Sequence, residues 1–532
     1  MHHTAPLLAA LLVASVSAQL PGLPRRGSPT VSLDSGSIAG TTTTVPKGSA
    51  TVDVEKYLGV PFAAPPERFR APKEPRRWRG TRDAKAYKPA CIQQFVSGPN
   101  REFTMSVFNN PAPPESEDCL YLNVYAPANR MRNGRGRAVL FWIYGGGLQF
   151  GSASMPGYDG SYLAANQDVV VVTANYRTNL FGFPASPQMK PTDRNLGFLD
   201  QRLALDWVQR NIDGFGGDPR KVTLFGESAG AVSIDALLTS YNATSRPPFH
   251  AAILQSGQIS VKRRNTNPAQ AFENWALLSA AVGCMGNRTL TCMERVSAGK
   301  LKMVGETNNL NFNPVTDGVT LVNNPASRRI AGQIPRIPVL IGSNAGEGRV
   351  FVKGATNITQ YIAQTFPGQP ERSKAVAKEY AVGKDGLKTP YDSIAQIMTD
   401  VQFGCPVGRF VSDSLAGRYP VWRYYYNATF PNLEKFPNAG AFHSAEIDLI
   451  FGTYGKRLAG PESALPSTPQ ENALSAYIQK SWANFAKNPL DGPGWLAAGT
   501  ASADVLEFGS AEAKLIRASD IDSRCWLYNS LY

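Results

Sequence analysis

The stretch Val222-Thr223-Leu224-Phe225-Gly226-Glu227-Ser228-Ala229-Gly230 decides how the rest of the chain is read. Val222 to Phe225 has the composition of a buried strand. A Gly-x-Ser-x-Gly pentapeptide follows, and then a helix-like run from Ala231 to Leu238. A strand-to-helix turn this sharp leaves no room for side chains at the flanking positions. Glycines stand there, and the Ser228 hydroxyl is held out above the sheet. The helix starting beneath it offers free N–H groups and the positive end of its dipole. The pentapeptide alone arises by chance about 0.3 times in a chain of this length and composition, so the strand and helix around it carry the reading.

Working outward, apolar runs of strand length recur. Ala138 to Tyr144 is rich in Val, Ile and aromatics and ends on Gly145-Gly146-Gly147. Val169 to Thr173, Ala251 to Leu254 and Val339 to Ile341 are further buried-strand runs. Leu199, Leu203 and Trp207 recur at helical spacing between two of them. Leu474, Ile478, Trp482 and Phe485 do the same near the C-terminus, and that pattern stops at Asn488-Pro489. Strand-helix alternation predicts an α/β fold with a large, mostly parallel, doubly wound sheet and helices on both faces. Sites in such sheets form at the C-terminal ends of the strands. No internal repeat and no long low-complexity linker divides the chain. Length alone suggests three or four domains, but residues 19–532 read as a single domain with loop and helix insertions.

The scarcity of histidine narrows the chemistry. Of four histidines, His2 and His3 stand at the N-terminus, leaving His250 and His443 in the body. A multi-histidine metal site is nearly excluded, and neither a His-Glu-x-x-His helix nor a phosphate-binding Gly-Lys-Ser/Thr loop occurs. No metal or cofactor is implied. The net charge of +13 is scattered, with small clusters such as Lys262-Arg263-Arg264, and no nucleic-acid motif accompanies it. It reads as a surface property and not as a nucleic-acid footprint.

An acyl-transfer serine needs oxyanion donors, a base and an acid. Successive glycines let backbone N–H groups approach a substrate with no Cβ in the way, so Gly146 and Gly147 are candidate donors, with Ala229 as the third. Imidazole has the suitable basicity. The order nucleophile, acid, histidine favours the late His443, and His250 reads as a packed or capping residue. Glu347, on the loop after the Val339–Ile341 strand, is the candidate acid, although other carboxylates occur in the same interval.

Residues 1–18 read as a secretory signal peptide. Leu7 to Val16 is a short apolar run, too short to span a membrane, and Val16-Ser17-Ala18 is a small-residue cleavage site. A second processing point after Arg25-Arg26 is weaker. No later segment has the length of a transmembrane helix. Six cysteines can pair completely in fifteen ways. Sequons at Asn242, Asn287, Asn357 and Asn427 agree with an exported, extracellular glycoprotein.

From about residue 30 onward these residues resemble the type-B carboxylesterase family, which includes cholinesterases and fungal lipases. The resemblance rests on Tyr57-Leu-Gly-Val-Pro-Phe-Ala, Glu117-Asp-Cys119-Leu-Tyr-Leu-Asn-Val and Trp142-Ile-Tyr-Gly-Gly-Gly147. It continues through Asn175-Tyr-Arg, Gly182-Phe183, Asn195-Leu-Gly and Asp200-Gln201, and then Phe215-Gly-Gly-Asp-Pro219 ahead of the serine pentapeptide. It implies an α/β-hydrolase fold and a Ser228–Glu347–His443 triad, with Gly146, Gly147 and Ala229 as oxyanion donors. It also implies disulfides Cys91–Cys119, Cys284–Cys292 and Cys405–Cys525, the first two closing loops that shape access to the site. Glu227 is expected to affect site electrostatics, and Glu446 and Asp448 to be structural. Where cholinesterases carry a choline-binding tryptophan, this chain has Asn109 beside Phe108, and the usual aromatic after the glycines is Leu148. Ile92 to Asp118 is shorter than a lipase lid. The expected activity is hydrolysis of small-molecule carboxylic esters. The alternatives are a triacylglycerol or sterol-ester lipase and, further off, a non-catalytic cholinesterase-like adhesion protein. Oligomeric state is not legible in the sequence.

Overall fold

Strands buried on both faces set the centre of the molecule. Arg137–Ile143 and Val170–Ala174 are buried at every position, as strands covered on both sides by helices must be. They belong to an eleven-stranded sheet in a computed structural model that describes residues 28–129, 136–260, 268–456 and 465–532. The signal-peptide reading of residues 1–18, Arg25-Arg26 and the cluster Lys262-Arg263-Arg264 lie outside the described residues.

In chain order the strands are β1 Thr41–Lys47, β2 Ala50–Pro61, β3 Tyr121–Pro127, β4 Arg137–Ile143, β5 Val170–Ala174 and β6 Gly217–Glu227. Then come β7 Ala251–Gln255, β8 Val339–Asn344, β9 Val421–Asn427, β10 Val505–Gly509 and β11 Ala513–Ile516. Across the sheet the order is β11-β10-β9-β8-β7-β6-β4-β5-β3-β2-β1. Every neighbouring pair from β5 through β4, β6, β7, β8 and β9 to β10 is parallel. Antiparallel pairs stand only at the two edges. With helices packed on the sheet and no barrel closure, this is the α/β-hydrolase architecture.

Two sequence readings shift. β4 begins at Arg137, one residue before the apolar run. Its buried guanidinium is matched by Asp168 at 2.7 Å, so a charged residue can open a central strand. In the helix α1, Leu196–Asn211, Trp207 is fully buried as the periodicity predicts, but Leu199 and Leu203 are only half-buried. Its core face runs instead through Leu196, Ala204, Leu205 and Val208 and includes Asp200. That carboxylate is fully buried because Arg177 forks onto it, with Nε at 2.8 Å and Nη2 at 2.7 Å. A pattern search for apolar residues passes over such a pair. The helix over Leu474–Phe485 spans Pro469–Lys487 and buries all four residues read from the periodicity. Thr468 and Glu471 form a capping box at its start.

The helix α2, Ala229–Ser240, follows β6 directly. The helices α3, Pro390–Thr399, and α4, Cys405–Ala416, are joined by a π turn at Asp400–Gly404. Pro406 explains the wide turn. It has no N–H to give the preceding turn, and its ring would clash with the carbonyl four residues back. Disulfides join Cys91 to Cys119, Cys284 to Cys292 and Cys405 to Cys525. Among the described residues, no helix is long and apolar enough to cross a membrane. Part of the positive charge gathers on one surface stretch, where Arg76, Arg77, Arg79, Arg82, Lys85 and Lys88 are all exposed.

Candidate active site

β6 ends at Glu227 and α2 begins at Ala229, so Ser228 alone makes the turn. Its backbone sits at φ +54°, ψ −119°, a conformation that costs a non-glycine residue about 1–3 kcal/mol and persists only where the surroundings dictate it. They do so here. The Ser228 N–H donates to the Gln255 carbonyl at 2.8 Å, and a methyl group at Gly230 would run into the Ile143 carbonyl. The Ser228 hydroxyl makes no hydrogen bond among the described residues and lines a cavity of about 670 Å³.

The glycine loop after β4 forms the facing wall of that cavity. Gly146 and Gly147 have φ +95° and +64°. Gln149 and Phe150 donate their N–H groups to the Gly146 carbonyl at 2.9 and 3.1 Å, and Asn179 donates to the Leu148 carbonyl at 2.7 Å. The loop is therefore pinned through its carbonyls. The N–H groups of Gly146 and Gly147 have no acceptor among the described residues. Ala229, as the first residue of α2, has no intrahelical acceptor for its own N–H. Gly146 and Gly147 line the same cavity as Ser228, and Ala229 follows Ser228 directly in the chain.

The carboxylate and the imidazole arrive on two loops that are stitched together. β8 ends at Asn344 and Glu347 follows after one tight turn, its Oε1 accepting the Asn344 N–H at 2.7 Å. Gly346 donates its N–H to the Ala441 carbonyl at 2.9 Å, and Asn344 Nδ2 donates to the Phe442 carbonyl at 2.9 Å. These bonds hold His443 so that its Nδ1 lies 2.6 Å from Glu347 Oε2. Phe351 and Phe403 pack on the imidazole with ring centroids at 5.0 and 4.7 Å. The buried Nε2 of His443 makes no hydrogen bond. Glu227 Oε1 lies 3.0 Å from it, close enough for charge attraction but out of line for a hydrogen bond, and instead accepts the Ser444 hydroxyl at 2.6 Å.

Electrostatics follow from this crowding. Burial pulls the His443 pKa down, but the carboxylates of Glu227 and Glu347 overcome it and push it up to about 9. Burial raises Glu227, against the pull of His443 and the Ser444 hydrogen bond. Glu446 is pushed up to about 7 by burial and by its two acidic neighbours, while its oxygens accept from Gln255 at 3.0 Å and Asn344 at 2.6 Å. Glu446 thus sits behind the site as a hydrogen-bonded support. Asp448, expected to be structural, lines the cavity, and burial raises it to about 6.

The remaining candidates are spread out. His250 lies away from the cavity, its Nε2 near Thr223 Oγ1 at 3.2 Å and the Ala486 carbonyl at 3.0 Å. Asn242, Asn287, Asn357 and Asn427 are all exposed. The Cys91–Cys119 loop supplies Val107, Phe108 and Pro111 to the cavity wall. The Cys284–Cys292 loop supplies none, contrary to the expectation that both shape access. It is drawn aside to Gln188, which accepts the Thr289 hydroxyl and the Leu290 N–H. Asn109 is buried and turned toward Gln93, so no ring occupies that place. Phe351, Phe403 and Ser444 are contributors that sequence reasoning missed. Phe351 and Ser444 have closeness in sequence to Glu347 and His443 as their only local signal, and Phe403 has none. Among the described residues, no group of three or more His, Cys, Asp or Glu is arranged to hold a metal ion.

Comparison with known proteins extends these observations. A profile described as the carboxylesterase family matches residues 27–520. Acetylcholinesterase of Bungarus fasciatus is 34% identical over 515 residues, 90% of this chain and 82% of the relative. Cholinesterase of Mus musculus is 32% identical over 82% of this chain and 75% of the relative. Para-nitrobenzyl esterase of Bacillus subtilis is 34% identical over 83% of this chain and 88% of the relative.

Proposed function

The chain belongs to the carboxylesterase family and is a serine-hydrolase-type enzyme acting on small-molecule carboxylic esters; on that premise we propose that Ser228, His443 and Glu347 are its nucleophile, base and acid. The observation that carries this is the imidazole held at Nδ1 by Glu347 while its buried Nε2 is left without a hydrogen-bond partner. A buried polar atom left unpaired awaits a partner, and the Ser228 hydroxyl lines the same cavity.

In this reading Ser228 Oγ attacks the ester carbonyl and its proton passes to His443 Nε2. The negative carbonyl oxygen is received by the N–H groups of Gly146, Gly147 and Ala229. The intermediate collapses, and the leaving alcohol takes the proton from His443. Water, deprotonated by His443, then attacks the acyl-enzyme and releases the acid. Glu347, on Nδ1, fixes the tautomer and stabilises the imidazolium.

The same reading takes residues 19–532 as one extracellular domain released from a signal peptide at residues 1–18. Three disulfides and four exposed sequon asparagines support it, and N-terminal sequencing of the secreted protein should begin at Gln19. Short acyl esters are the expected substrates, because the Cys91–Cys119 loop carries only one short helix, Arg101–Phe108, over the cavity. Preference for emulsified long-chain esters would favour the lipase alternative. Ser228→Ala is expected to reduce hydrolysis of p-nitrophenyl butyrate by about 10⁴-fold or more. Activity equal to the parent's would refute the assignment.

A further inference from the structure

The segment from Arg524 to Tyr532 is tied to the helix pair α3–α4 at the π turn, and none of its residues lines the cavity. Cys525 is bonded to Cys405, at the turn's end. The Tyr528 hydroxyl donates to Tyr380 Oη at 2.8 Å, and Tyr380 donates in turn to Asp400 Oδ2 at 2.6 Å, at the turn's start. The Tyr532 hydroxyl donates to the Val401 carbonyl at 2.8 Å. Between these anchors, Gln402 and Phe403 line the cavity, and the Phe403 ring lies on His443.

The Val401 contact has a specific cause. In an α-helix the Cys405 N–H would serve the Val401 carbonyl, four residues back. In the π turn it reaches the Asp400 carbonyl instead. The next residue, Pro406, has no N–H to offer. The turn therefore frees the Val401 carbonyl from its regular partner, and Tyr532 supplies the replacement. An unserved carbonyl at this buried position is costly, which favours another winding of the turn. Each residue of rewinding rotates a helical side chain by about 100°, enough to carry Phe403 off the imidazole. Single π turns inserted in α-helices concentrate at functional sites.

We propose that Tyr532 is a positioning residue for the active site: its hydroxyl on the Val401 carbonyl holds the π turn that presents Phe403 to His443 and to the cavity. The tail segment thereby sets how well a given acyl group fits beside the base. This rests on the triad reading given above.

The test is a double-mutant cycle on the full chain, reading the ratio of kcat/KM for p-nitrophenyl butyrate to that for p-nitrophenyl acetate. Tyr532→Phe removes one hydroxyl and keeps the ring. It is expected to change the ratio by about threefold or more, mainly through kcat. Phe403→Ala should change the ratio as well. In the Phe403→Ala background, Tyr532→Phe should leave the ratio unmoved, because the route runs through that ring. A lower melting temperature with an unaltered ratio would make Tyr532 merely structural and overturn the proposal. So would a Tyr532 effect that persists undiminished without Phe403. Failure of the triad reading would show separately, as activity surviving Ser228→Ala.

Discussion

The two sides of the cavity are built in different ways. On one side, Gly146 and Gly147 present backbone N–H groups and Ser228 a hydroxyl, all three held at positive φ, with a neighbouring carbonyl that leaves no space for a Cβ at Gly146. On the other side, His443 is fixed by side chains: two carboxylates, the Asn344 amide and two phenyl rings. Backbone donors need no titration and keep their geometry at any pH. The side-chain half stores charge that depends on protonation. The first half should fail through shape, and the second through charge and tautomer.

Three substitutions separate these failures. The largest effect is expected from Glu347→Gln, which keeps the shape but loses the charge that fixes the imidazole tautomer. We expect kcat to fall by about 10⁴-fold with little change in the melting temperature, and a loss below tenfold would remove Glu347 from the acid role. Next comes Gly146→Ala, which sets a methyl against the Phe150 carbonyl at a φ of +95°. Displacing this donor should lower kcat by about 10²–10³-fold, by a similar factor at every pH. A loss that varied with pH would break the contrast between the two halves.

The smallest effect is expected from Glu227→Gln. With His443 raised to about 9 by Glu227 and Glu347 against burial, kcat/KM of the parent should climb with pH until the imidazole is neutral, levelling above about 9. Removing the Glu227 charge should bring that limb down toward the ordinary histidine range, near 6.5. A profile centred at the same pH in both proteins would show that Glu227 does not set the base. The same shift acts on stability. A group whose pKa is higher folded than unfolded stabilises fully below its unfolded value and loses that contribution as pH rises through its folded value. His443 should therefore help the fold below about pH 6.5 and stop helping by about pH 9, and Glu446 acts in the same direction. Melting temperatures measured across that range would register the decline, and a smaller decline is expected in Glu227→Gln.

The same division explains what could be read in advance. The backbone half is written in contiguous stretches, because a tight turn needs particular residues at neighbouring positions. Gly226-Glu227-Ser228-Ala229-Gly230 and Gly145-Gly146-Gly147 announce themselves. The central strands were legible for a similar reason, since burial on both faces demands unbroken apolar runs. The side-chain half is assembled from four separate stretches, around Glu227, Glu347, Phe403 and His443, and the one around Phe403 carries no motif of its own. Phe403 reaches His443 only because the helix changes its winding at Asp400–Gly404, and no periodicity rule marks where that happens. The pairing of Ser444 with Glu227 spans 217 residues and depends on how two loops meet. Arg177 and Asp200 stand in separate motifs, and their pairing is not legible because Arg177 lies outside the helix that carries Asp200.

One feature bears on how this enzyme could change over generations. The loop closed by Cys91 and Cys119 contributes wall to the cavity but none of the groups proposed to react. It is fastened at its base, so its interior can lengthen, shorten or exchange residues while the sheet, the serine turn and the histidine stay where they are. New substrate preferences can be tried there in single steps, each leaving a working catalyst behind it. A library confined to residues 100–111 would be the place to redirect the enzyme in the laboratory.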